Sequence, residues 1–328
     1  MTKNTRNINL TWVYPPNNWV SNYQETFIYG WSNPKAKLFV SVETSHATSL
    51  QRPIKIFSNG NFAQKIKLPY KKSTIRLIQN LNGKKKIFSR NIIVVKRKTK
   101  QSKQVMSLRG AQRPASPAKR GERSNLTNFF TSGRLLRSKA LAMTLRNSFR
   151  NDVSIVIDPG HGGKEHGTHS PKGIPEKVFN LQISKLLYKK LKKKFKQVYL
   201  TRTKDKFVSL KERVNFAKKK KCNLLISIHH NALPDNENPL KHRGIGIYYT
   251  HAFVKSLAKK LLDGISKSSG LKKYGIFKRN FAVTRPDFYL GVLIECGFLI
   301  HPQEAEIITK RQTQEKIVNG ISSALNNL

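Results

Sequence analysis

The sequence predicts an α/β domain, a mostly parallel sheet flanked by helices, preceded by a small β-sandwich-like domain. Three observations carry that prediction. Over residues 152–328, β-branched runs alternate with amphipathic helical patterns, and such alternation builds a layered fold on a largely parallel sheet. Over residues 1–96, short alternating runs are separated by turn residues at sandwich-like intervals. Between the two, residues 97–151 break the pattern.

The N-terminal runs are INLTWVYPP, ETFIYGWS, AKLFVSVET, PIKIFSNGNFAQKIKLPY, STIRLIQNL and KKIFSRNIIVVK. Asn59-Gly60, flanked by IKIFS and FAQKIKL, predicts a hairpin, because both residues accept the positive φ that tight hairpin turns require. Glu25 and Glu43 are the only acids in this stretch and His46 stands alone, so it reads as a binding or spacer module without catalytic groups.

Residues 96–150 hold fifteen basic residues against one acid, Glu122. The segment SLRGAQRPASPAKRGERSN has the composition of a disordered linker. LTNFFTSGRLLRSKALAMTLRNSF is compatible with a short basic amphipathic helix. The whole stretch resembles the translated palindromic repeats found as insertions, and it carries no catalytic residue.

In the third segment the predicted strands are SIVID, QVYLTR, NLLISIHH, GIGIYYT and GVLIEC. A helix over 176–195 follows from Phe179, Ile183, Leu187 and Leu191, which share one stripe opposite lysines. Further helices are predicted over 210–218, 251–268 and 304–326.

Composition narrows the function classes. The 328 residues carry 63 Lys+Arg against 17 Asp+Glu, a formal net charge of +46. That attracts polyanions such as anionic wall polymers, lipids or nucleic acid. No aromatic-studded or zinc-finger pattern accompanies it, so specific nucleic-acid binding is not expected. No run reaches the roughly 20 apolar residues of a membrane span. The first residues lack the apolar core of a secretory signal. Cys222 and Cys296 border apolar runs and read as small buried hydrophobes rather than a disulfide.

In a sheet of this type, ligands collect at the carboxyl ends of the strands. There stand His161 in SIVIDPGHGG, His229 and His230 after LLISI, and Glu295 in GVLIE, with Glu176 opening the long helix. Alone, each has an ordinary explanation: a turn or core histidine, or a carboxylate complementing the helix dipole. Together, two histidines and a glutamate are a ligand set for catalytic zinc that leaves a position for water. The remaining glutamate can act as a base.

From residue 154 to the C terminus the chain resembles the zinc-dependent N-acetylmuramoyl-L-alanine amidases of the Amidase_3 type. DPGHGG matches the first ligand motif at His161. GIPEKVFNL (173–181) matches the helix start bearing Glu176. SIHHNA (227–232) matches the motif of His229, and VLIECGF (292–298) the strand bearing Glu295. YLTR (199–202) and LKER (210–213) follow in order.

The resemblance implies zinc held by His161, Glu176 and His229, with Glu295 as the catalytic residue. The expected activity is hydrolysis of the amide joining N-acetylmuramic acid to L-alanine in peptidoglycan. A monomer in the periplasm or cell envelope is expected.

His230 stands where the family carries a small residue and rivals His229, although family register favours His229. Glu165 and His166 read as exposed loop residues, and Arg202 and Arg213 as ion-pairing structural residues. Only LPDNENPLKHR follows the SIHHNA motif, where some relatives carry a blocking helix, so an open site is expected. The glycines of the DPGHGG turn are expected to keep the rim low. The N-terminal segment resembles, more weakly, the β-rich domains that precede some of these amidases. The domain expectation is therefore a β-rich unit over 1–96, a basic linker over 97–151 and an amidase domain over 152–328. The competing class is a non-catalytic wall or polyanion binder with a vestigial metal site.

Overall fold

Among the described residues, alternation in the N-terminal runs is realised as eight strands. These are β1 (Leu10–Tyr14), β2 (Trp19–Ser21), β3 (Glu25–Ser32) and β4 (Lys37–Glu43), then β5 (Arg52–Ile54), β6 (Asn61–Lys67), β7 (Lys71–Leu81) and β8 (Lys84–Val94). They form a three-stranded sheet, β1-β3-β6, and a five-stranded sheet, β2-β8-β7-β4-β5. The inner faces share one core, in which Trp12, Ile28 and Phe62 meet Leu38, Ile75, Leu77 and Ile92. This is the sandwich that the period of two demands. The computed structural model describes residues 10–21, 23–44, 50–69, 71–95, 153–234 and 237–326. The 97–151 segment, with its amphipathic stretch, and His46 lie outside them.

The Asn59-Gly60 hairpin differs from expectation. The turn forms, with Phe57 N–H donating to Asn61 O at 2.9 Å, but one bridge, Ile56 to Phe62, is its only ladder contact among the described residues. Its arms then part: β5 joins β4 in one sheet and β6 joins β3 in the other. Burying both inner faces of the sandwich outweighs extending the local ladder. The fully paired hairpin is β7–β8. Its turn, Asn82-Gly83, has φ of 53° and 76°, the doubly positive pattern that matches strand twist.

The second unit alternates as its sequence predicts. Its elements are β9 (Ser154–Pro159), α1 (Glu176–Lys192), β10 (Gln197–Leu200), α2 (Leu210–Lys219), β11 (Leu224–Asn231) and β12 (Ile245–Tyr249). There follow α3 (Lys255–Ser269), β13 (Lys273–Lys278), β14 (Leu290–Phe298), α4 (Pro302–Ile308) and α5 (Arg311–Asn326). The sheet order is β10-β9-β11-β14-β12-β13. β9, β10, β11 and β14 run parallel, while β12 meets β14 antiparallel. β13, the short run KYGIFK, extends the sheet beyond the expected five strands by pairing with β12.

The stripe of Phe179, Ile183, Leu187 and Leu191 is buried against this sheet with residues of α3 and α5. Each such side chain contributes about 1.5–3 kcal/mol. Two helices replace the single one expected over 304–326, with Thr309 capping α4 before Arg311 begins α5. Cys222 and Cys296 are free and buried. The Asn59 side chain donates to Pro302 O at 3.0 Å, and Asn61 donates to the same carbonyl, joining the Asn59-Gly60 turn to the start of α4. No helix among the described residues is long and apolar enough to cross a membrane.

Candidate metal centre

The end of β9 is built around a buried carboxylate. Asp158 accepts from Thr201 Oγ1 at 2.6 Å, Ser227 Oγ at 2.8 Å and Arg213 Nη1 at 2.5 Å. One side chain thus ties together β9, the end of β10, β11 and α2. Burial alone would push its carboxyl up, but Arg213 and the hydroxyl donors hold it below the usual range. Arg213 makes the expected ion pair. Arg202 differs: it donates to the carbonyls of Pro159, Gly160 and Lys177, fixing the turn through backbone.

The turn carries His161 at φ 58°, a left-handed conformation that non-glycine residues adopt at some cost. Arg213 Nη2 donates to His161 O at 2.8 Å and helps to hold that conformation. The surrounding glycines are explained by close approach rather than by a low rim. A Cβ on Gly160 would stand 2.2 Å from His229 Cε1, and one on Gly162 would stand 2.2 Å from Lys206 O. Glycine is needed there to let the His229 ring and the 206–207 backbone pass.

Glu176 is the first residue of α1, and its side chain does not cap its own helix. It turns to the histidines instead. Its Oε2 is 3.2 Å from His161 Nε2 and its Oε1 is 3.2 Å from His229 Nδ1. The rings of His161 and His229 stand 4.9 Å apart at 75°. One ligand atom from each of these three residues lies within 4.8 Å of the others. Glu176 is almost fully buried, while the His161 and His229 side chains keep 20% and 19% exposure. The centre therefore faces solvent through its imidazoles. Residues 232–234 and 237–244, the described part of the segment after β11, hold no helix.

Strand alternation separates the paired histidines. His229 shares a face with Glu295, its register partner on β14. His230 points the other way, onto Phe179 and Asn180 of α1. Glu165 and His166 are exposed in the loop after the turn, and His166 meets only the His169 ring, at 6.0 Å, among the ring contacts described.

Electrostatics divide the two glutamates. Burial raises the Glu176 carboxyl, but the two imidazoles and their hydrogen bonds outweigh it, leaving the group well below the usual range. Glu295 is raised well above it, by burial first and by the Glu176 charge second. Its Oε2 is buried without a hydrogen-bond partner among the described residues. One carboxylate is thus held ionised beside the imidazoles, and the other holds its proton more tightly than usual. Burial is the largest influence on His161 and lowers it, but the Glu176 charge and hydrogen bond and the Glu165 charge together leave it raised, whereas burial leaves His229 lowered.

Asp158 and Asn180 have roles that the sequence reading did not assign. Asn180 was visible as the i+4 neighbour of Glu176 on one helix face. Asp158 was hidden because its partners come from three separate motifs.

Fold and site together define an α/β domain with a His–Glu–His group whose ligand atoms lie close enough to share a metal ion, and a buried glutamate of raised proton affinity on the adjoining strand. The Amidase_3 family, described as N-acetylmuramoyl-L-alanine amidase, matches residues 155–327. The chain belongs to this family.

The putative N-acetylmuramoyl-L-alanine amidase YrvJ of Bacillus subtilis is 35% identical over 179 residues, covering 55% of this chain and 34% of that protein. The probable cell wall amidase LytH of Staphylococcus epidermidis is 34% identical over 174 residues, covering 51% and 57% respectively. The chain thus spans less than two thirds of either relative. An N-acetylmuramoyl-L-alanine amidase from Clostridium difficile 630 has a similar structure. Its TM-score is 0.51 at 36% identity, over 53% of this chain and 95% of that one.

Proposed function

We propose that residues 152–328 form an amidase domain that hydrolyses the bond between N-acetylmuramic acid and L-alanine in peptidoglycan, in the cell envelope. Residues 1–96 form a separate β-rich domain joined to it by the 97–151 linker. The observation that carries the reading is the Glu176 carboxylate held between His161 and His229, with Glu295 on the adjoining strand.

The donor set suits zinc. Two imidazole nitrogens and one carboxylate oxygen match a catalytic site with an open position, and the unpartnered Glu295 Oε2 lies beside it. His161, Glu176 and His229 would hold the ion. When bound, zinc polarises the scissile carbonyl and acidifies water.

The chain's own groups do the rest. Glu295 accepts the proton from the attacking water and delivers it to the leaving alanine nitrogen as the C–N bond breaks. Its raised proton affinity suits the second half of that cycle. Ionised Glu176 offsets part of the positive charge. Arg213, Arg202 and Asp158 hold the His161 turn in place.

The test is mass spectrometry of products from purified peptidoglycan. Free stem peptides beginning with L-alanine are expected from the zinc-loaded protein, with none after chelation. Binding to the wall without product release would instead favour the polyanion-binding class, towards which the +46 charge points.

A further inference from the structure

The side chain of His230 lies outside the metal-facing group, yet it is 3% exposed and sits against the first turns of α1. Its Nδ1 is 2.8 Å from Asn180 Oδ1. The Asn180 amide nitrogen donates to Glu176 Oε1 at 3.0 Å and to Gly160 O at 3.2 Å. Both of those partners are acceptors, so the amide can face only one way. Asn180 Oδ1 is thereby turned to His230, and His230 Nδ1 must carry the proton.

The His230 backbone N–H also donates to Glu176 Oε1, at 3.0 Å. Oε1 therefore has three neighbours: Asn180 Nδ2, His230 N and His229 Nδ1. Oε2 meets Thr168 N at 3.1 Å and His161 Nε2 at 3.2 Å. Both oxygens thus meet fixed backbone donors, Oε1 the His230 N–H and Oε2 the Thr168 N–H, and the Asn180 amide adds a second donor to Oε1.

We propose that His230 is a positioning residue: through Asn180 it fixes the rotation of the Glu176 carboxylate and so preorganises the metal centre. The consequence for affinity rests on the reading of Glu176 as a zinc ligand. Outer partners of this kind typically change metal affinity 10- to 100-fold.

Two readouts test it. The first is zinc affinity, measured by competition with a chromophoric chelator. His230→Phe keeps a planar aromatic ring and removes the donor, and zinc should bind about 10- to 100-fold more weakly. His230→Asn places an N–H donor at the position of Nδ1 and should recover most of the loss. Asn180→Leu should weaken zinc as His230→Phe does, and the double variant should add little, because the two act as one chain. Asn180→Leu also carries the test if His230→Phe fails to fold.

The second readout is hydrogen exchange of the Asn180 side-chain amide in the metal-free protein. It should be slow in the wild type and in His230→Asn, and fast in His230→Phe. Unchanged zinc affinity in His230→Phe, or equal weakness of the Phe and Asn variants, would overturn the proposal. So would a rapidly exchanging Asn180 amide in the wild type. A wild type that binds no zinc but protects that amide would overturn the metal reading while supporting the clamp.

Discussion

At the scale of single residues, proton affinity separates the two glutamates, and geometry alone would not. Glu176 stands between two imidazoles and stays ionised, whereas Glu295 is buried near that charge and holds its proton more tightly. Glu295→Gln should therefore leave zinc stoichiometry intact while lowering turnover by about 10²- to 10⁴-fold, the usual share of general acid–base catalysis. Metal analysis alongside product release checks both halves. Asp158 is a stability residue. Its folded pKa lies below the unfolded value of about 3.9 because Arg213 and two hydroxyl donors favour its charge. Its contribution is complete above about pH 4 and is lost as pH falls through the folded pKa. Asp158→Ala strands a buried guanidinium and should cost about 3–5 kcal/mol. Denaturant unfolding at neutral pH measures that cost, and an acid titration should show a flatter stability profile below pH 4 for the variant.

At the scale of elements, most strands and helices of the second unit were legible because their apolar periods are clean. The exceptions have physical causes. β13 was missed because KYGIFK is half-exposed along its length, and only its pairing to β12 makes it a strand. The Asn59-Gly60 signal predicted a turn correctly but not its ladder, since two sheets compete for its arms. Gly320 looks like a weak point in a helix. In the fold it is a crossing point: a Cβ there would come 2.5 Å from Ile265 Cα on α3, and the reverse approach at Gly264 is 2.9 Å from Gly320 O. Gly320→Ala should therefore destabilise by about 1–3 kcal/mol through overpacking. Thermal unfolding would record the loss, and unchanged zinc affinity would place it away from the site.

At the scale of the whole molecule, the site was legible as a set before any single member was. His161, Glu176, His229 and Glu295 come from a turn, a helix start and two strands, and parallel topology gathers their ends on one rim. The choice of His229 over His230 follows from alternation, since neighbouring residues on β11 face opposite sides. The network behind the site was legible only in the i,i+4 pair of Glu176 and Asn180, because Asp158 and His230 find their partners only across the folded sheet. The formal net charge is +46. Binding to isolated wall polymer should weaken steeply as salt shortens the screening length from about 10 Å at 0.1 M towards 3 Å at 1 M, and co-sedimentation across that range measures it. The most direct measurement remains the mass spectrum of products from purified peptidoglycan, with the zinc-loaded protein and its Glu295→Gln variant in parallel. The account predicts stem peptides with a free L-alanine amine from the wild type and about 10²- to 10⁴-fold slower release from the variant. Release at another bond, or equal release by the variant, would contradict it.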